Sequence, residues 1–95
     1  MITTKHIIAD IDDVPVSWVF ETYCNLETKL DGGSIKIKSM FNPSDSVPSM
    51  VIFCKDNSYF FKDFSTDRGG THIKLVMELY SLSYGQAVNK IIDDY

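Results

Sequence analysis

The chain has 95 residues, 44% hydrophobic and 13% aromatic, with 9 basic against 13 acidic side chains and a net charge of −4. That length supports one small core and excludes a second domain, and the apolar fraction excludes a disordered tail. The acidic total argues against a free-standing nucleic-acid binder with a broad basic surface. No apolar run approaches the ~20 residues that a membrane-spanning helix needs. The start, Met1-Ile2-Thr3-Thr4-Lys5-His6, lacks the pattern of a signal peptide, so a soluble protein of the cytoplasm is expected.

The charge is unevenly spread: residues 1–35 carry −4, residues 36–68 carry +1 and residues 69–95 carry −1. The cations Lys36, Lys38, Lys55, Lys62 and Arg68 gather in the middle of the chain, so an electrostatic footprint for nucleic acid would lie there. Cys24 and Cys54 fall in a predicted helix and a predicted strand, and reduced, buried thiols are expected. Their spacing from His6 and His72 matches no zinc pattern.

In chain order, residues 1–13 read as an extended arm ending in Asp10, Asp12 and Asp13 ahead of Pro15, residues that suit a helix start. A helix is predicted over 14–25, because Val16, Val19, Phe20 and Tyr23 recur with helical spacing. Trp18 lies off that stripe and is either a second packing contact, the reading favoured here, or an exposed interaction handle. Asp31-Gly32-Gly33 is a turn, after which Ile35 and Ile37 alternate with Lys36 and Lys38, a half-buried strand with cations toward solvent.

Two β-prone runs, 50–54 and 58–62, flank Lys55-Asp56-Asn57 and form a hairpin. Both of its faces are apolar: Met50, Ile52 and Cys54 on one, Val51 and Phe53 on the other, with Tyr59, Phe60 and Phe61 opposite. One face must pack on helices. The other is either covered by the N-terminal helix or carries aromatics beside Lys36, Lys38 and Lys62, a stacking platform for single-stranded bases. Asp63-Phe64-Ser65-Thr66 is expected to form a tight loop whose polar side chains bond local amides, with Phe64 plugging the core.

Gly69-Gly70 breaks the chain before a helix from Thr71 to residue 79 or 80, whose N-terminus could hold a phosphate or follow the glycines for steric reasons alone. Its apolar face, Ile73, Val76, Met77 and Tyr80 widened by Leu75 and Leu79, implies burial on two sides, with His72 at the surface. Ser83 and Gln86 form a capping box for a last helix, along which Tyr84, Ala87, Val88, Ile91, Ile92 and Tyr95 make one stripe. No nucleophile elbow, phosphate loop or metal-spaced acid cluster is present.

The order loop, hairpin, loop and helix across residues 35–92 resembles the N-terminal zinc-binding domain of bacterial and phage DNA primases. Val47-Pro48-Ser49-Met50 stands where that family has a "tPSF" segment. Lys62-Asp63-Phe64-Ser65-Thr66 with Gly69-Gly70 stands at its second metal knuckle, most like phage primases that carry "FxDFSTGxGG" there. Leu82-Ser83-Tyr84-Gly85-Gln86-Ala87-Val88 with Ile91 is similar to the family's "lsfxeAvxxI" helix. The four metal positions fall near Met40, Asn42 or Pro43, Asp63 and Thr66, so the resemblance implies a metal-free variant with no cofactor.

The expected fold is therefore α+β and zinc-ribbon-like, a three-stranded antiparallel sheet flanked by one N-terminal and two C-terminal helices. Its segments are an arm (1–13), a helix and turn (14–34), a β core (35–70) and two helices (71–95). The resemblance implies single-stranded DNA template recognition in primer synthesis, non-catalytic in itself. Nucleotidyl transfer would belong to a separate catalytic domain, and that domain or a helicase of the same replication system would be a partner. Lys36, Lys38, Lys62 and Arg68 are the candidate DNA contacts, with Tyr59 or Phe61 as a stacking surface. Asn42, Asp63, Ser65, Thr66, Gly69 and Gly70 would form the degenerate knuckle loops. The alternatives are a stand-alone phage interaction or inhibitor protein that binds a replication or host protein, and a structural module docking through its acidic N-terminal helix.

Overall fold

The computed structural model describes residues 10–95, so the first nine residues of the expected arm, His6 included, lie outside the described residues. The end of that arm is not extended. Ile11–Asp13 form a 3₁₀ turn whose N-cap, Asp10, accepts the Asp12 amide at 3.0 Å. Asp10 thus caps this turn, Asp12 and Asp13 lie within it, and the first α-helix, α1 (Val16–Tyr23), starts only after it. Pro15 sits at the α1 N-cap with extended backbone, so the helix starts at Val16, where the apolar stripe begins, and not at residue 14 as expected. Asn25 ends the helical path in the left-handed region, with φ of 54°.

Four strands follow: β1 (Ile35–Ile37), β2 (Met50–Lys55), β3 (Ser58–Asp63) and β4 (Arg68–Gly70), antiparallel in the order β1-β2-β3-β4. The hairpin β2–β3 turns through Asp56 and Asn57, both with positive φ (54° and 62°), as a two-residue turn of right-twisting strands requires. The fourth strand corrects the three-stranded expectation. Arg68, Gly69 and Gly70 pair with Asp63, Lys62 and Phe61 in place of forming a loop. The two glycines permit this close approach. A Cβ on Gly69 would lie 3.0 Å from the Phe61 carbonyl oxygen, and Gly70 has φ of +143° with Lys74 Cγ 3.1 Å from where a Cβ would sit.

Helices α2 (His72–Tyr80) and α3 (Tyr84–Asp94) complete the chain. Thr71 caps α2 by accepting the Lys74 amide, and Ser83 with Gln86 forms the expected capping box, Gln86 Oε1 accepting the Ser83 amide at 2.9 Å. The wide apolar face of α2 is buried on two sides. Leu75 joins Phe20, Cys24, Met50, Ile52 and Phe61 against the sheet, while Ile73 and Val76 join Val14, Val19, Ala87 and Ile91 against α3. The layers are thus sheet, then α1 with α2, then α3. Trp18 packs on the helical cluster, edge-on to Tyr95 (4.9 Å between centroids) and Tyr23 (6.3 Å). Among the described residues, no helix is long and apolar enough to cross a membrane.

Both cysteines are free thiols. Cys24 is buried, and that burial pushes its thiol up to about 12, whereas Cys54 is only half-buried on β2. Because the thiolate is the reactive form, a thiol reagent at mildly alkaline pH is expected to modify Cys54 in the native protein and Cys24 only after denaturant is added. Peptide mass spectrometry of the labelled protein reads the two sites separately.

Candidate nucleic-acid interface

Side chains alternate across a strand, so the pairing register decides which face each residue joins. Ile35, Ile52 and Phe61 form one row of partners, and Ile37, Met50 and Asp63 another. These rows face the helices. Between them lies the row Lys36, Val51, Lys62 and Gly69, and next to it the pair Phe53 and Phe60, all on the opposite face. Val51, Phe53 and Phe60 join neither buried cluster. The Phe53 and Phe60 rings lie 6.0 Å apart at 31°.

Phe64 extends this face. Its amide donates to the Ser49 carbonyl at 2.8 Å, adding one rung beyond the Met50 and Asp63 pair. The expectation that Phe64 plugs the core is corrected: the residue is 67% exposed, with Lys62 Nζ 5.8 Å from its ring centroid. Phe60 and Lys62 on β3 and Phe64 just past its end therefore occupy every second position, roughly 6.8 Å apart along an extended chain. No described helix covers this face, and its order of aromatic, cation, aromatic is one that can stack bases and hold the phosphates between them.

The structure splits the expected contact residues. Lys36 and Lys62 lie on the open face. Phe61 does not: it is 1% exposed and packs on Phe20 and Phe41. Tyr59 also faces the helix side, where its hydroxyl accepts the Gly32 amide at 2.7 Å. Arg68 is the register partner of Asp63, pairs with Glu78 (Nε to Oε1, 2.8 Å) and lies 5.0 Å over the Phe41 ring, away from the lysines. Lys38 follows the end of β1 and lines a groove of about 600 Å³ with Cys24, Leu26, Ile37 and Met40. Three consecutive aromatics hid the parity in the sequence. A two-residue Asp56-Asn57 turn, counted outward, pairs Phe53 with Phe60 and would have exposed it.

Side chains tie the two knuckle loops to each other, and the loop over residues 63–66 is held in this way and not by the expected bonds from its side chains to local amides. Asp63 is fully buried, and its Oδ2 accepts from Ser39 Oγ (2.9 Å) and from Thr66 Oγ1. Ser39 Oγ in turn accepts the amides of Phe41 and Asn42. Asn42 Nδ2 donates to Ser65 Oγ at 2.8 Å, and Ser49 Oγ donates to Asp45 Oδ2 at 2.7 Å. The Ser49 hydroxyl, then the Val47 amide and the Ser65 hydroxyl, hold the Asp45 carboxyl below its usual range. This donor set does not fit zinc. It offers the Asp63 and Asp45 carboxylates, hydroxyls and an amide already bonded to one another, where such a site needs thiolates and imidazoles. Among the described residues, no group of three or more His, Cys, Asp and Glu could hold a metal ion.

His72 is half-buried in the first turn of α2, not fully at the surface. Burial pulls its imidazole below the usual range while Asp12 opposes the shift. No protein-family model, curated protein or solved structure matches this chain.

Asp67 shapes the open face. It has φ of 62°, its side chain is 90% exposed, and it pairs with Lys62, whose hydrogen bond and charge hold the Asp67 carboxyl below its usual range. A phosphate approaching Lys62 must compete with this carboxylate. Asp67→Asn is therefore expected to raise affinity for single-stranded DNA by about two- to fivefold at low salt, the range of an exposed ion pair. Fluorescence anisotropy of a labelled oligonucleotide measures it.

Proposed function

We propose that this domain binds single-stranded DNA through the open face of its sheet, as the template-recognition module of a phage-type DNA primase. The observation that carries the reading is the alternation of Phe60 and Lys62 on β3 with Phe64 just beyond it, and Phe53 and Lys36 beside them. Stacking on the phenyl rings tolerates any base, and the lysines neutralise phosphates between stacked bases. Catalysis is left to another domain or chain, and a primase catalytic domain or a helicase remains the expected partner.

The acidic total sets the strength of this binding. Among the described residues, only Lys36, Lys55 and Lys62 belong to the open face or its hairpin end, so affinity should be weak and concentrated at low salt. The test is anisotropy of a labelled oligonucleotide across a salt series, for the native protein and for Lys36→Glu with Lys62→Glu. Each lost phosphate contact is expected to flatten the log–log salt slope by about 0.7, so the double variant should lose about 1.4 of slope and most of its low-salt affinity. An unchanged slope would remove these lysines from the interface.

The alternative, a protein partner, is favoured by a different surface. Tyr80 and Tyr95 are exposed beside Trp18 and Tyr23, with Lys90 4.7 Å over the Tyr80 ring. Tyr and Trp are the residues from which docking patches are commonly built.

A further inference from the structure

Resting on the reading of the open face as a single-strand binder, we propose that the cavity beside Phe53 and Phe60 is a subsite for one unstacked guanine. The cavity holds about 260 Å³ and is lined by Phe53, Lys55, Asp56, Phe60, Phe61 and Gly70. Its walls suit a single heterocycle. Two phenyl rings 6.0 Å apart at 31° supply an aromatic surface, and Gly70 lines the other side.

The polar groups at its rim decide which base. Lys55 and Asp56 make no ion pair and no side-chain hydrogen bond with any other described residue, and the positive φ of Asp56 and Asn57 fixes the hairpin tip that carries them. A carboxylate accepts well from two neighbouring N–H groups, and an ammonium donates to a carbonyl or ring nitrogen. Guanine in a single strand offers both, with N1–H and the N2 amino group on one edge and O6 with N7 beside it. Thymine offers one N–H between two carbonyls, so it cannot use the carboxylate twice. The phosphates flanking the bound base would meet Lys62 and Lys36, one row along the same face.

The test compares a short labelled thymidine oligomer with the same oligomer carrying one central guanine, by anisotropy at low salt, for the native protein and for Asp56→Asn. Asparagine keeps the left-handed backbone that this turn position requires, so the tip is preserved. The native protein is expected to bind the guanine oligomer about tenfold more tightly. Asp56→Asn should lose that preference without weakening the thymidine oligomer, because a negative charge has been removed from the face. Equal native affinity for the two oligomers, or a guanine preference that survives in Asp56→Asn, overturns the subsite while the open face still binds DNA. Binding of neither oligomer overturns the reading of the face, and the subsite with it.

Discussion

Asp63→Ala is expected to destabilise the domain by roughly 3 kcal/mol, lowering the midpoint of thermal unfolding by on the order of 10–20 °C. Asp63 has no accessible surface, and its Oδ2 gathers the hydroxyls of Ser39 and Thr66, 24 and 3 residues away in sequence. Alanine would leave both hydroxyls without this acceptor and open a void where the two loops meet. Hydrogen bonds to a charged acceptor contribute about 1.5–3 kcal/mol each, and burial of the carboxylate offsets part of that sum. Asp63→Asn keeps one oxygen for the two donors and should lose about half as much. Circular-dichroism melts of the three proteins measure the series. A shift of only a few degrees in Asp63→Ala would mean that the loops are held by backbone pairing such as the Phe64 amide to Ser49 carbonyl bond.

Phe64→Ala should behave in the opposite way. The residue is 67% exposed, so its loss should change stability by no more than about 0.5 kcal/mol. Its loss from a stacking surface should weaken single-stranded DNA binding by about tenfold, since base stacking on an aromatic contributes about 1–3 kcal/mol. Separating the two readouts matters on a small domain, where substitutions at Phe53 or Phe60 also disturb a half-buried pair. An unchanged melt together with unchanged affinity would leave the exposed phenyl of Phe64 without a role in binding.

The helices were the most legible part of the sequence, because their signals are local. The capping box at Ser83 and Gln86 needed only neighbours three residues apart, and of the stripe from Tyr84 to Tyr95 the middle, Ala87 and Ile91, is buried while both terminal tyrosines are exposed. The hairpin was legible from Asp56-Asn57 for the same reason. β4 was not: Gly69-Gly70 carries no side-chain pattern, and it becomes a strand only because bare backbone can lie against β3. Phe64 misled because an aromatic between polar residues reads as a plug, whereas the rung to Ser49 turns it to the open face. Arg68 left the expected basic group because Glu78 on α2 attracts it, and Ser39 entered the Asp63 cluster from 24 residues away. Neither contact has a signature short of the folded chain.

The proposed primase resemblance and the proposed DNA-binding face single out different residues. The resemblance picks out the loops around Asp63 and Gly69. The geometry supplies what those loops frame, a strip of Phe60, Lys62 and Phe64 whose central cation is held by Asp67.

Amide chemical-shift mapping by nuclear magnetic resonance, on adding a short single-stranded oligonucleotide at low salt, tests that assignment most directly. Shifts are expected to concentrate at Lys36, Val51, Phe53, Phe60, Lys62 and Phe64, and to leave Trp18, Tyr80 and Tyr95 unmoved. Shifts centred on the tyrosine surface, or none at all, would contradict the open sheet face as a DNA-binding site.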